Sequence, residues 1–359
     1  MLTILCAIQD AIVHFVKGLC AVSQEELQAA EPRKFSLQKL IEVAHYNLSR
    51  IKIVWSRIWI HMADHFITVG CPTQSNVNSQ TIAIHAIDSL RQLAMKFLEQ
   101  DELANYHFQR DFLKPFFQIM EKSQSVEIRE LVVQCIGQMI LKRASNIKSG
   151  WKTILQVLKK SAEDQETVLQ TGFHFTSQIM ADYFHHMSDA FENLVSALSQ
   201  FAKNQLNKNV SCQSIEFLEL CAANIVKGLV EGVKVEKDEK TGIAFTEDKT
   251  HYRVWFPVLT GLSQLVSDVR LEVRLKALQA LFSLLKQYGG LFGAELWRSI
   301  FTGVWFPIFA DIRMMLDEAT GKPVQDTEWM QNTCQQTMSA MIGVFAEFFE
   351  ITNFLLPDV

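Results

Sequence analysis

Apolar residues recur along most of this chain at steps of three and four positions, the spacing of one face of an α-helix. The clearest stripe follows position 270 and consists of Leu271, Leu275, Leu278, Leu281, Phe282 and Leu285. No period-two alternation, the pattern of a half-buried strand, stands between such segments. The pattern therefore predicts an all-α protein.

A helical unit repeats along the sequence. Six segments begin with an aromatic residue and end near an acidic one: Trp55–Phe66, Phe112–Lys122, Trp151–Asp164, Phe191–Lys203, Trp255–Asp268 and Trp297–Asp311. A second amphipathic helix follows most of them, and starts near 112, 151 and 191 give a step of about 40 residues, the period of HEAT and armadillo helix pairs. We therefore predict a HEAT/armadillo-like α-solenoid of about six to eight helix pairs.

Two of the second helices carry an aliphatic–arginine pair near their start, Ile128-Arg129 and Val273-Arg274. The pair resembles the HEAT consensus. We expect the aliphatic side chain to enter the core and the arginine to reach a nearby acid or carbonyl.

The helical pattern predicts one continuous array over residues 1–359. Its largest interruption is a charged stretch, 231–251, with four lysines and six acidic residues around Thr241-Gly242. Because this stretch has no apolar face, we predict a mobile insertion between repeats.

Composition agrees with a helical protein and narrows its class. Hydrophobic residues make up 48% of the chain, and 15 glycines with 7 prolines are about 6% of it, roughly half the usual share. The net charge of −5 argues against nucleic acid as a partner. Seven cysteines without C-x-x-C spacing favour a reducing, cytoplasmic compartment. No run reaches the roughly 18 apolar residues that a membrane-spanning helix needs.

Short motifs of catalysis and metal binding are weak in this sequence. His61 and His65 have the spacing of zinc ligands, but Met62 stands where a metalloprotease has glutamate, and no third ligand is evident. Ser36–Lys39 spells S-x-x-K and Lys240–Gly242 spells K-T-G, without the third motif of the serine β-lactamases. Nucleotide-binding glycine loops are absent. We predict no catalytic residue, no metal site and no cofactor.

Residues 31–60 carry a local charge of +4 in this acidic chain, with Trp55 and Trp59 among the cations. One interpretation is a solvated helix face above two core tryptophans. The other is a partner-binding surface for an anionic protein or a negatively charged membrane. Its residues would be Arg33, Lys34, Arg50, Lys52 and Arg57. Both interpretations place the two tryptophans on the buried side of their helix.

Several blocks of the sequence resemble the large brefeldin-A-inhibited Arf guanine-nucleotide exchange factors of the Golgi. The blocks are 15–27, 35–59 (which ends in Ile-Val-Trp-Ser-Arg-Ile-Trp59), 86–116, Asn146–Trp151, Trp255–Leu259 and Glu328–Cys334. They are spread over nearly the whole chain, and they are far more specific than a repeat consensus.

The resemblance implies the helical regions that follow the catalytic Sec-seven domain in that family. These regions are HEAT-like and are implicated in autoinhibition, in recruitment to Golgi membranes and in responses to small GTPases. The resemblance implies Arf-class GTPases, the exchange domain itself and an anionic Golgi membrane surface as partners. No exchange domain is found in these 359 residues, so we expect no exchange activity from them. A generic HEAT-repeat transport adaptor of the karyopherin type is the alternative, and an enzyme is disfavoured.

Overall fold

The fold comes from a computed structural model that describes residues 2–29, 31–47, 52–72, 77–99, 108–230, 249–308, 310, 333–353 and 355, without the side chains of 2–9, 52–54 and 249–251. Its α-helices are α1 (Leu2–Gln28), α2 (Phe35–Asn47), α3 (Lys52–Gly70), α4 (Val77–Phe97), α5 (Phe108–Lys122), α6 (Val126–Arg143), α7 (Gly150–Ser161), α8 (Glu166–Gln178), α9 (Phe191–Lys203), α10 (Lys208–Val226), α11 (Lys249–Ser263), α12 (Leu271–Tyr288), α13 (Ala294–Ile300), α14 (Gln335–Glu347) and α15 (Phe349–Thr352). Two π-helical segments, Ile179–Tyr183 and Phe301–Trp305, continue α8 and α13. The described residues contain no strand, so the predicted all-α class is confirmed.

Contacts group the chain into two compact units, residues 1–186 and 187–359. In the first unit, helices α1 to α8 follow a simple rule. Each helix packs on the one two positions later in sequence, so α3 contacts α5 and α4 contacts α6, and most helices also pack on the next one, as α3 does on α4. Odd helices therefore stack on odd helices and even helices on even ones, which is the packing of an α-solenoid.

The second unit repeats the same rule. Helix α9 packs on α10 and α11, α10 on α11 and α12, and α11 on α12 and α13. Helix α14 packs on α12, and α15 packs on both α13 and α14. The predicted solenoid packing is found inside each unit, while the single continuous array over 1–359 stays a prediction.

The first helix of each predicted pair is fixed by a large aromatic side chain. At the six predicted opening positions the structure buries Trp55, Phe112, Trp151, Phe191, Trp255 and Trp297. Fully burying a side chain of this size contributes roughly 2–3 kcal/mol, so these positions set which face of each helix turns to the core. The aromatic repeat in the sequence is therefore a core pattern.

The two aliphatic–arginine pairs behave as predicted. Arg129 donates two hydrogen bonds to Asp164, at 2.5 and 2.8 Å, and a third to the Ser123 carbonyl at 2.9 Å. The guanidinium thereby joins the turn before α6 to the turn after α7. Arg274 donates in the same way to the carbonyls of Asp268 and Val269, at 2.9 and 3.0 Å.

The predicted insertion 231–251 lies mostly outside the described residues, which resume at 249. Its last three residues, Lys249–His251, form the first turn of α11. The helix begins before the aromatic residue that marks the repeat in sequence, so the insertion is shorter at this end than predicted.

Candidate functional site

A surface groove of about 550 Å³ runs between α3 and α5 in the first unit. Its apolar lining comes from both helices: Trp55, Trp59, Ile60, Ala63, Phe108, Phe112 and Pro115. The ring of Trp59 stacks on Phe112 with centroids 4.1 Å apart, and Trp55 stacks on Trp59 at 5.8 Å. Both indoles are buried, with 1% and 5% of their surface exposed, so the prediction for Trp55 and Trp59 is confirmed.

A proline inside α5 links the two helices at this groove. Pro115 has no N–H, so the carbonyl of Asp111 four residues earlier lacks its usual helical donor. The indole Nε1 of Trp59 donates to that carbonyl at 3.3 Å. The hydrogen bond that α5 gives up is thus replaced by one between α3 and α5.

The groove offers apolar and charged contacts to a binding partner. Ile60 keeps 60% of its surface exposed, while the buried indole N–H of Trp55 has no hydrogen-bond partner among the described residues. Asp64, Asp111 and Lys114 stand along the lining. The described lining residues include no histidine or cysteine.

The structure distributes the predicted basic residues over separate elements. Arg57 on α3 is exposed and forms an ion pair with Asp10 on α1, with Nη2 and Oδ1 2.8 Å apart. Arg33 and Lys34 precede α2, where Arg33 is exposed and Lys34 half-buried. The backbone N–H of Arg33 donates to the Glu26 carbonyl at 3.1 Å.

The remaining cations of that segment are described only in part. Arg50 and the side chain of Lys52 lie outside the described residues. Lys39 pairs with Glu42 at 2.8 Å on the exposed face of α2. Two of the cations that gave residues 31–60 their positive charge, Arg57 and Lys39, are therefore already compensated by carboxylates.

Two of the residues weighed for enzyme or metal chemistry, His65 and Ser36, have structural partners, and Lys240–Gly242 lies outside the described residues. His65 is buried, and its Nε2 lies 2.9 Å from the hydroxyl of Ser23, between α3 and α1. Burial lowers the pKa of His65 to about 4. Ser36 is buried at the start of α2, where its N–H donates to Glu26.

The part of the chain that the structure describes was also searched for metal-ligand clusters and for membrane-spanning helices. No three His, Cys, Asp or Glu side chains converge there as metal ligands would. None of the helices there combines the length and apolarity needed to cross a bilayer.

Four further cations lie near the starts of α5 and α7, and the sequence interpretation did not include them. Arg110 and Lys114 lie one turn apart on α5, Lys148 precedes α7 by two residues, and Lys152 lies in its first turn. Arg110, Lys114 and Lys148 are exposed and Lys152 is half-buried. We call these four residues the α5–α7 basic face. The signal in the sequence was a run without acidic residues, 131–162, which contains six lysines and arginines.

Stacked helix pairs within each unit define a helical-repeat protein, and comparison with known proteins narrows that class. The family described as Mon2/Sec7/BIG1-like, HDS matches residues 96–178. Brefeldin A-inhibited guanine nucleotide-exchange protein 3 of Arabidopsis thaliana is 39% identical over 98% of this chain and 21% of that protein. Brefeldin A-inhibited guanine nucleotide-exchange protein 1 of Homo sapiens is 40% identical over 97% of this chain and 18% of that protein. The resemblance to the brefeldin-A-inhibited exchange factors is confirmed along nearly the whole chain.

The matched relatives are much longer than this chain, and the similarity to solved structures is low. The chain spans about a fifth of the length of the curated relatives it matches. Among solved structures, a designed armadillo repeat protein is 14% identical, with a TM-score of 0.33 over 75% of this chain and 99% of that chain. A likeness at that score adds nothing to the fold, which rests on the helix packing described above.

Proposed function

We propose that this chain is a non-catalytic regulatory and interaction scaffold of a Golgi Arf guanine-nucleotide exchange factor. The observation that carries the proposal is similarity to brefeldin A-inhibited exchange proteins over 98% of the chain but only 21% of the relative. Exchange activity would then reside in a Sec-seven domain outside these 359 residues. The scaffold would control recruitment and autoinhibition of that domain in vesicle trafficking.

The proposed partners follow from the same similarity. They are Arf-class GTPases, the exchange domain itself and the anionic surface of Golgi membranes, with the chain cytoplasmic and peripheral on that membrane. Stacked helix pairs support such a role, because each added pair extends a surface without needing a closed active site.

The partner-binding segment proposed for the GTPase comprises Arg33, Lys34, Arg50, Lys52 and Arg57. An Arf-type GTPase would meet it with acidic side chains, and complementary charge would favour the approach of the two proteins. The ion pair between Arg57 and Asp10 counts against Arg57 as a primary contact. We therefore expect the larger contribution from Arg33 and Lys34 before α2 and from Arg50 and Lys52.

The experiment measures binding of an Arf-class GTPase, in its GTP-analogue and GDP states, to the immobilised chain. The variant Arg33→Glu, Lys34→Glu, Arg50→Glu, Lys52→Glu should bind at least about tenfold more weakly, because each reversal replaces attraction by repulsion. Affinity of the wild type should fall as salt rises, since exposed charges are screened.

A charge swap separates structure from binding at Arg57. Asp10→Arg with Arg57→Asp keeps the ion pair in reverse order, so it should leave the fold intact and affinity close to that of the wild type. Unchanged binding by the variant with four charge reversals would show that the segment is a solvated helix face and not a binding surface. Absence of binding to either nucleotide state would contradict the proposed GTPase partner.

A further inference from the structure

We propose that the groove between α3 and α5 is a docking site for a short amphipathic helix of a partner protein, with a basic residue beside the apolar face of that helix. The site goes beyond the proposed function, because it assigns a second partner to a surface other than the 33–57 segment. Three features of the groove carry the inference: its aromatic floor, the exposed apolar side chain on its rim and the charges along its walls.

The floor of the groove is an ordered stack of aromatic rings. Phe112 stacks on Trp59 and on Phe97, with ring centroids 4.1 Å apart in both pairs. The hydrogen bond from the Trp59 indole to the Asp111 carbonyl, at 3.3 Å, holds the stack at the junction of the two helices. A floor that is already ordered in the free protein has little conformational freedom to lose when an apolar side chain packs on it.

Ile60 is the exposed apolar side chain on the rim. It lines the groove, and 60% of its surface is exposed. Single exposed aliphatic residues are common on protein surfaces, and Ile84 on α4 is another, with 43% exposed. Ile60 differs from Ile84 because it borders this groove, where an aliphatic side chain of a partner would cover Ile60 and the aromatic floor together. Apolar anchors buried in this way supply most of the affinity of an interface.

The walls of the groove have the length of a short helix. Ser56, Ile60 and Asp64 follow one another at one-turn steps along α3, which covers about 12 Å. Asp111 and Gln118 lie two turns apart along the α5 wall. An amphipathic helix of two to three turns fits this length, with apolar side chains three and four positions apart on the floor.

A carboxylate follows Ile60 along the same wall. Asp64 is exposed one turn after Ile60, and its side chain forms no ion pair with another described residue. A partner helix whose apolar side chain packs on Ile60 places a side chain one turn away beside that carboxylate. A lysine or arginine at this position would be attracted, and an acidic residue would be repelled.

The other charges near the groove leave this preference in place. Asp111 and Lys114, which is also part of the α5–α7 basic face, stand on the α5 wall as one carboxylate and one ammonium. Arg57 beside the α3 wall is compensated by Asp10 at 2.8 Å, and Arg110 lies outside the lining. The lining therefore carries two carboxylates and one ammonium, a net charge of −1, which fits a basic occupant.

The test selects peptides of about 16 residues, long enough for the helix-in-groove mode, from a phage-displayed random library on the immobilised chain. The wild type should enrich sequences with two apolar residues three or four positions apart and a lysine or arginine within one turn of them. Ile60→Gln should bind the selected peptides at least about tenfold more weakly, measured by fluorescence anisotropy. The control Ile84→Gln removes the same exposed side chain from α4, and it should bind as the wild type does.

Two charge variants test the electrostatic part of the proposal. Asp64→Lys should lose affinity for the selected basic peptides, and a fresh selection on it should enrich acidic residues in place of basic ones. Lys114→Gln should bind the basic peptides at least as tightly as the wild type, because it removes a like charge. Both positions are exposed, so an unchanged thermal unfolding midpoint separates lost binding from lost folding.

Several outcomes would overturn the proposal. They are failure of the wild type to enrich any sequence, equal binding of the peptides to the wild type and Ile60→Gln, and enrichment of acidic residues by the wild type. Self-association of the chain that Ile60→Gln abolishes, measured by light scattering, would assign the groove to a second copy instead. Peptide binding at the groove by a chain that binds no Arf-class GTPase would contradict the proposed function and leave this inference standing.

Discussion

Gly137 shows at the scale of one residue how tightly the even helices of the first unit pack. A Cβ placed on Gly137 would lie 2.0 Å from Cζ of Phe175. The Phe175 ring of α8 thus packs so closely on the α6 backbone that only glycine fits at position 137. Gly137→Ala must therefore displace Phe175. We expect it to lower the free energy of unfolding by about 1–3 kcal/mol, measured by urea denaturation.

A second glycine provides the matched control. Gly343 in α14 has open surroundings, with Lys286 at an ordinary 3.9 Å from an added Cβ. Gly343→Ala should raise the free energy of unfolding by about 0.5–1 kcal/mol, because alanine restricts the unfolded chain. If both substitutions stabilise the protein equally, the close approach of Phe175 to α6 is wrong.

His65 gives a prediction for pH at the same scale. Its folded-state pKa of about 4 lies below the ordinary value of 6.5, because burial disfavours the charged ring. The unfolded chain therefore binds a proton that the folded chain does not as pH falls from 6.5 to about 4. Stability present above pH 6.5 should be lost across that window, by as much as about 3 kcal/mol, with no further loss from this group below it.

The measurement compares urea midpoints of the wild type and His65→Gln from neutral pH to pH 4. Glutamine stays neutral throughout, so the variant should lose less stability than the wild type in that window. Parallel curves would show that His65 does not titrate as described.

At the scale of elements, the junction of α3 and α5 depends on Pro115 and Trp59 together. Trp59→Phe keeps an aromatic ring on Phe112 but leaves the Asp111 carbonyl without its indole donor. We expect a loss of about 1 kcal/mol in the free energy of unfolding. Pro115→Ala restores an N–H four residues after that carbonyl, so it should recover more stability in the Trp59→Phe background than in the wild type.

The double-mutant cycle measures this coupling directly. An interaction energy of about 0.5 kcal/mol or more, in the direction of rescue, is expected for groups that share one acceptor. Strict additivity of the two substitutions would contradict the exchange of one hydrogen bond for the other.

At the scale of elements, the repeating helices could be predicted from the sequence. The odd helices from α3 to α13 were predictable because each carries a buried aromatic within its first two turns and apolar residues at helical spacing, as in Phe191–Lys203. The Arg129 contact was predictable because burial of the neighbouring Ile128 fixes the direction in which the Arg129 side chain extends from the helix.

The charged surfaces were harder to predict, because charge acts between elements far apart in sequence. Asp10 compensates Arg57 from 47 positions away, so the local count of +4 overstated the free charge of residues 31–60. Arg110 and Lys148 are likewise distant in sequence, and hydrogen bonds of Gln109 and Arg110 to residues 148–153 bring the two backbones together. No local window contains that contact.

At the scale of the whole molecule, the charged stretch 231–251 remains a prediction from composition. It has ten charged residues and no apolar face, so limited proteolysis should cut it before any other segment. Early cleavage within α5 or α7, with this stretch intact, would contradict its assignment as a mobile insertion.

The central claim is that this chain binds without catalysing exchange. The most direct measurement titrates the chain into an Arf-class GTPase loaded with a fluorescent guanine nucleotide, and follows anisotropy for binding and intensity for nucleotide release in one sample. The account predicts a saturable rise in anisotropy with the release rate unchanged from that of the GTPase alone. An accelerated release of nucleotide would show that these 359 residues hold exchange activity themselves, and would contradict the account.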